Sequence, residues 1–255
     1  MSEPALRDLL DVAVEAALAG GKRTLRYFNA GVAVEWKADG SPLTAADRES
    51  EAEMRRIIGR AFPDHTILGE EEGETAGTAP VRWIIDPLDG TRTFVRGVPL
   101  YGTLVGVEVR DEPVVGVIHL PALDETLAAA RGQGCTWNGR PCRVSATDGL
   151  DRALLVVTDE RVARGRSGAY DRLVAATAMQ RTWADCYGYA LVATGRAAEM
   201  VDPVVEPYDV GPMPVILAES GGRFTDSSGV DTIEGGSGVG SNGVLHAEIL
   251  AALEQ

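Results

Sequence analysis

Val81-Arg-Trp-Ile-Ile-Asp86-Pro87-Leu88-Asp89-Gly90-Thr91 joins an apolar, strand-like segment to a pair of acids and anchors the assignment of the architecture. Residues 81–85 are apolar except for Arg82 and predict a buried strand, and they run directly into two carboxylates three residues apart. Pro87 predicts a turn between the acids, and Gly90 permits close backbone approach. Both carboxylates are therefore expected beyond the strand end, aimed at one point. Held that close they repel, so one takes a proton or both share a cation. All-oxygen ligation selects a hard divalent ion, Mg²⁺, which accepts few protein carboxylates together with water and phosphate oxygens. Read alone, the segment 86–91 is equally compatible with an acidic turn, because each of its residues is favoured in loops.

Further acids end other apolar elements. Thr44-Ala-Ala-Asp47 has the spacing of a capping box and leads into Met54, Ile57 and Ile58 on one helical face, which Pro63 stops. Gly69-Glu70-Glu71 follows a short strand-like run at 66–68, and Tyr208-Asp209 precedes an apolar run closed by Glu219-Ser-Gly-Gly222. Upstream, leucines and alanines at helical spacing predict a helix over 4–28, weakened at Gly20-Gly21. Downstream, strands are predicted at 103–109, 114–119 and 127–130. Beyond about residue 150, strands at 153–158 and 198–201 alternate with helices at 169–179, 187–194 and 210–220. The pattern is that of an α+β or layered α/β protein in two halves, 1–150 carrying most of the acids and 151–255 carrying Asp209.

Composition narrows the partners. The 255 residues carry 24 Lys and Arg against 38 Asp and Glu, a net charge of −14. So acidic a chain repels nucleic-acid backbones and anionic lipid, and neither is an expected partner. No apolar run approaches the roughly 20 residues needed to span a bilayer. The start, Met-Ser-Glu-Pro, has no basic and apolar leader, so a cytoplasmic location is expected, with Cys135, Cys142 and Cys186 as reduced structural thiols. His65, His119 and His246 lack metal-ligand spacing and read as structural or solvated. Trp36, Trp83, Trp137 and Trp183 read as packing. Arg92 and Arg96 read equally as a local attraction for phosphate or as an exposed charged loop, and Glu71 and Glu72 as groups supporting the site from behind or as solvated ones.

Taken in order, Asp39-Gly-Ser-Pro-Leu-Thr-Ala-Ala-Asp47, Gly69-Glu70-Glu71, Trp83-Ile-Ile-Asp86-Pro-Leu-Asp89-Gly-Thr91 and Tyr208-Asp209 with Glu219-Ser-Gly-Gly222 resemble the inositol monophosphatase-like, Mg²⁺-dependent, lithium-sensitive phosphatases. The resemblance implies an αβαβα sandwich of the inositol monophosphatase and fructose-bisphosphatase type, and commonly a homodimer. It assigns Glu70, Asp86 and the Leu88 carbonyl to one Mg²⁺ and Asp86, Asp89 and Asp209 to a second, with Glu70 touching a possible third. One ion would lower the pKa of the attacking water and the other would stabilise the departing alkoxide. Thr91, oriented by Asp47, would deprotonate that water, and the Gly90 and Thr91 amides would hold phosphate. Two departures, Tyr208 for the family's Trp and Pro212 with Pro214 in place of a smoother helix start, make Asp209 the least secure ligand.

The run Asp185-Cys-Tyr-Gly-Tyr189, followed by Asp202-Pro203, resembles the histidinol-phosphatase subgroup more than the inositol-phosphate enzymes. Histidinol phosphate carries an amine and an imidazole, and carboxylates suit a cationic leaving portion, so Asp185 and Asp202 are the expected substrate contacts. Asp185 also reads as the cap of the helix near Tyr187. The substrate is thus a phosphate monoester, histidinol phosphate first, with inositol monophosphate, fructose 1,6-bisphosphate or an adenosine bisphosphate as alternatives. A catalytically silent binding protein is the alternative of another class.

Overall fold

The computed structural model describes residues 4–254 except Ser167 and Ala184; the acidic start at residues 1–3 lies outside them. Helix α1 (Leu6–Thr24) passes through Gly20 and Gly21 without a break. A Cβ on Gly20 would stand 2.7 Å from Ser50 Oγ, and one on Gly21 would stand 2.5 Å from the His119 ring. The two glycines let the helix lie directly on its neighbours rather than weakening it.

The short hairpin β1 (Val34–Trp36) and β2 (Pro42–Thr44) leads into α2 (Ala45–Ala61). Then come β3 (Thr66–Gly69), β4 (Gly73–Thr75), β5 (Val81–Asp89), the single turn α3 (Thr91–Phe94), β6 (Gly102–Val109), β7 (Glu112–Leu120), β8 (Glu125–Ala130), β9 (Cys135–Trp137) and β10 (Arg140–Pro141). Strands β3 to β10 form one eight-stranded sheet in the order β10-β9-β8-β7-β6-β5-β3-β4.

The second half contributes β11 (Leu154–Val157), α4 (Glu160–Arg166), α5 (Ala169–Ala176), β12 (Met179–Arg181), α6 (Cys186–Ala193), β13 (Glu199–Asp202), α7 (Pro207–Val210), α8 (Met213–Ser220), β14 (Arg223–Thr225), β15 (Gly238–Ser241) and α9 (His246–Glu254). Its five strands are ordered β12-β11-β13-β15-β14, with β11, β12 and β13 parallel.

The central strands are buried on both faces, and successive side chains join one core or the other, which defines the layers. Trp83, Ile85, Val105, Val107, Val115 and Val117 pack on α1 and α2, whereas Ile84, Leu104 and Ile118 face the other way. That second face shares a core with Tyr189 and Val192 of α6, Ile216 and Leu217 of α8, and Val156 and Met200 of the five-stranded sheet. The far side of the smaller sheet, through Leu155, Val157 and Val201, packs on Tyr170, Leu173 and Ile249 of α5 and α9. Helix pair, sheet, helix pair, sheet and outer helices make five layers, the αβαβα arrangement the sequence implied.

Four local expectations change. Strand β5 does not stop at 85 but continues through Asp89, so the two acids lie within the strand and Pro87 makes no turn beyond it. The helix expected over 169–179 ends at Ala176, and Met179–Arg181 forms edge strand β12 instead. The helix expected over 210–220 is divided, because Pro212 caps α8 and Pro214 lies in its first turn, where a missing N–H costs nothing. Trp83 is buried, but Trp36 and Trp183 are 64% and 42% exposed and are not packing residues.

Candidate active site

Asp86 pairs with Leu104 and Asp89 with Gly102, so three steps along β5 match two along β6. This bulge matters because residues three apart in a regular strand point to opposite faces. The extra residue at Pro87-Leu88 turns Asp89 to the side that Asp86 already faces, toward the helix layer between the sheets. A proline at a bulge forfeits no ladder hydrogen bond, which is why it is tolerated inside a sheet here.

Asp209 joins them from α7. One oxygen from each of Asp86, Asp89 and Asp209 lies within 4.8 Å of the others. Each carboxylate is aimed by a backbone donor. Leu88 N–H reaches Asp86 Oδ1 at 2.9 Å, Cys186 N–H at the start of α6 reaches Asp89 Oδ2 at 2.6 Å, and Glu206 N–H reaches Asp209 Oδ2 at 2.7 Å. The last contact belongs to a capping box around α7, so Asp209 is held firmly despite Tyr208 and the prolines.

Burial, reinforced by the neighbouring negative charges, raises Asp86 and Asp89 well above the usual carboxylate range and pushes Asp209 up to about 7. Two like charges at this spacing cost about 3 kcal/mol even at an effective dielectric of about 20. The donor set is hard, all-oxygen and anionic, and a divalent cation fits it; protonation is the only other way to relieve the repulsion.

The remaining expected residues gather around this trio. Thr44 N–H and hydroxyl donate to Asp47 Oδ2 at 2.7 and 2.6 Å, which completes the capping box and leaves Oδ1 for the Thr91 hydroxyl at 3.1 Å. The same hydroxyl lies 2.9 Å from the Leu88 carbonyl. Gly90 has φ +84°, and a Cβ there would fall 2.9 Å from Asp185 Oδ2. Asp185 sits at the start of α6 but makes no capping hydrogen bond, contrary to the cap reading; its Oδ2 accepts from Thr93 Oγ1 at 3.3 Å. Burial pushes Asp185 up to about 6.

Glu70 is not drawn into the trio, although its charge helps to raise Asp86. Its Oε1 is held by Lys37 Nζ at 2.8 Å, and the same ammonium holds Glu71 Oε1 at 2.7 Å. Sequence reasoning missed Lys37, and of its two readings of Glu71, a group supporting the site from behind or a solvated one, the shared ammonium fits the first. It also missed Glu51, which is fully buried and accepts from Glu71 N–H, Glu72 N–H and Arg55 Nε, fixing the turn that carries Glu70. The i,i+4 pairing of Glu51 with Arg55 was the available signal.

Asp202 lies at the carboxyl end of β13, beside the ends of the parallel strands β11 and β12, where ligands of open α/β sheets collect. It is buried, and burial together with the charges of Asp185 and Asp209 raises it well above its ordinary value. The Thr158 hydroxyl stands beside it, and the Asp202 Oδ1 and the Tyr189 hydroxyl are buried without a hydrogen-bond partner among the described residues. The Tyr189 hydroxyl feels the charges of Asp202, Asp89 and Asp209, so this unsatisfied group adjoins the trio.

An inositol monophosphatase family model matches residues 5–255. Among curated relatives, the histidinol-phosphatase of Chlorobaculum parvum is 39% identical over 96% of both chains. That of Mycobacterium tuberculosis is 34% identical over 90% of this chain and 91% of its own. The solved structure of an inositol monophosphatase from Anabaena superposes with a TM-score of 0.86 at 34% identity, covering 98% of this chain and 96% of that one. Family match, shared layers and the carboxylate trio at the β5 bulge agree: the chain belongs to the inositol monophosphatase family of metal-dependent phosphatases.

Proposed function

We propose that the protein is a Mg²⁺-dependent histidinol-phosphatase, releasing L-histidinol and phosphate in histidine biosynthesis. The observation that carries this reading is the buried pair of Asp202 and Tyr189, each with a side-chain oxygen unsatisfied among the described residues, with the Thr158 hydroxyl beside Asp202 and the charge of Asp185 felt by both Asp202 and the trio. Unpaired buried polar atoms cost about 1–3 kcal/mol each, so the set is best explained by a ligand that completes it. Two acids and two hydroxyls match an ammonium and an imidazole, which offer both donors and an acceptor. The two relatives named histidinol-phosphatase support the same reading.

Asp86, Asp89 and Asp209, with Glu70 and the Leu88 carbonyl beside them, would hold two ions, or three with a weaker one at Glu70. Bound there, Mg²⁺ supplies a water of lowered pKa and positive charge for the departing alkoxide. Thr91 holds the proton traffic: its hydroxyl donates to Asp47, leaving its lone pairs to accept from the attacking water. The Gly90 and Thr91 amides, at the first turn of α3, offer donors to the phosphate. Asp185 and Asp202 then take the amine and the imidazole. Lithium inhibition, a homodimer and a cytoplasmic location belong to this reading.

Phosphate release should be measured with Mg²⁺, with EDTA and with added Li⁺, over L-histidinol phosphate, inositol monophosphate, fructose 1,6-bisphosphate and an adenosine bisphosphate. The expected result is Mg²⁺-dependent, Li⁺-suppressed turnover with the highest kcat/KM on histidinol phosphate. A higher value on inositol monophosphate would move the protein to the activity named for its Anabaena relative. Absence of turnover on all four would favour a silent binding protein.

A further inference from the structure

Cys135 and Cys142 face each other across the β9–β10 hairpin. The register pairs Trp137 with Arg140 and Thr136 with Pro141, and Cys142 N–H donates to the Cys135 carbonyl at 3.0 Å. Asn138 and Gly139, both at positive φ, form the two-residue turn that fixes this register. The sulfurs lie 3.6 Å apart.

We propose that Cys135 and Cys142 are a reversible disulfide site that takes low-molecular-weight disulfides as its oxidant. Opposed residues of an antiparallel pair hold their Cα atoms about 4.5–5.5 Å apart, within the range of about 4.4–6.8 Å that a disulfide requires. The bond therefore needs side-chain rotation and no displacement of the strands. Cys186, buried at the start of α6 against the Asp89 carboxylate, takes no part.

The two thiols are unequal in the way exchange chemistry needs. Cys142 is half-buried, and its thiol is made more acidic by the hydrogen bond with Cys135 and by the Arg196 guanidinium. Arg196 is held in place by Glu125 at 2.9 Å and by stacking over the Trp137 ring at 4.6 Å. Cys135 is buried, and its proton is retained. The Cys142 thiolate attacks one sulfur of the incoming disulfide, whose S–S bond breaks and expels the first small thiolate. Cys135 then gives up its proton to that thiolate and attacks the Cys142 sulfur, which expels the second. In sum, two protein thiols become one disulfide and one small disulfide becomes two thiols.

The consequence is local. Two residues beyond Cys142, which itself follows β10, Val144 N–H bonds the Ser220 carbonyl at the end of α8, so the disulfide would brace the sheet edge next to its contact with the helix layer. The full chain should be incubated with excess oxidised glutathione and its thiols counted after denaturation. The expected count falls from three to one, the mass falls by two hydrogens, a peptide map joins 135 to 142, and dithiothreitol restores all three thiols. Cys135→Ser should stop at a glutathione adduct on Cys142, and Cys142→Ser should stay unmodified. Three thiols remaining free, or a lasting adduct on Cys142 in the parent protein, would overturn the proposal. Neither outcome depends on phosphatase activity.

Discussion

Two groups of buried acids lie side by side in this protein and are built in opposite ways. Asp86, Asp89 and Asp209 are each aimed by a main-chain N–H, one of them, that of Cys186, from a helix the sequence places 97 residues away. Asp202 has one oxygen bonded to nothing among the described residues, and the hydroxyl of its neighbour Tyr189 is equally unsatisfied. The first group is preorganised by the chain itself, so a cation arriving there finds its ligands in place. The second waits for its partner, so a ligand arriving there gains the hydrogen bonds the protein lacks. Chemistry common to a family suits the rigid arrangement, and a choice among phosphate esters suits the unsatisfied one.

The contrast predicts a graded set of losses. Asp86→Asn, which faces both neighbours of the trio, should lower phosphate release by about 10³-fold or more while leaving the fold intact by circular dichroism. Full turnover would break the assignment of this group as the metal site. Thr91→Ala removes only the proton acceptor and should cost about 10²–10³-fold in kcat, with Mg²⁺ binding by calorimetry almost unchanged. On the recognition side, Asp185→Asn should raise KM for histidinol phosphate about 10-fold more than KM for glycerol phosphate; equal rises would remove amine recognition from Asp185.

The smallest effect is also the most discriminating. Tyr189→Phe deletes a buried hydroxyl that has no hydrogen-bond partner among the described residues, so Tm should rise by about 2–4 °C. If that hydroxyl serves the substrate, KM for histidinol phosphate should rise several-fold in the same variant. A falling Tm would show that the hydroxyl is satisfied in solution, and the distinction between the two groups would then fail.

Much of the first group was legible because its signals are local. The Thr44–Asp47 capping box and the apolar run of β5 lie within a few residues, and both folded as their spacing implied. The bulge was not legible, since nothing in Pro87-Leu88 distinguishes an extra strand residue from a turn until β6 supplies the register. Lys37 and Glu51 were missed for the same reason: their partners are 33 and 20 residues away. Strand β15 escaped because Gly238 and Gly240 carry no strand preference. They are glycine because Tyr189 and Leu217 press against the sheet where side chains would stand. Helix α5 ended early for want of a breaker in the sequence, and the pairing of Met179–Arg181 with β11 decided the matter.

The bulge in β5 also makes the centre sensitive to counting. Side chains alternate along a strand, so the useful quantity is whether the interval between Asp86 and Asp89 is effectively odd or even. Loss of one codon at Leu88 would not shorten the site gracefully. The acids would then stand at an even spacing on one face of a regular strand, but the bulge that excuses Pro87 from the ladder and the Leu88 carbonyl would both be gone. Substitutions elsewhere can be absorbed one at a time, but in this segment length is as strictly constrained as identity.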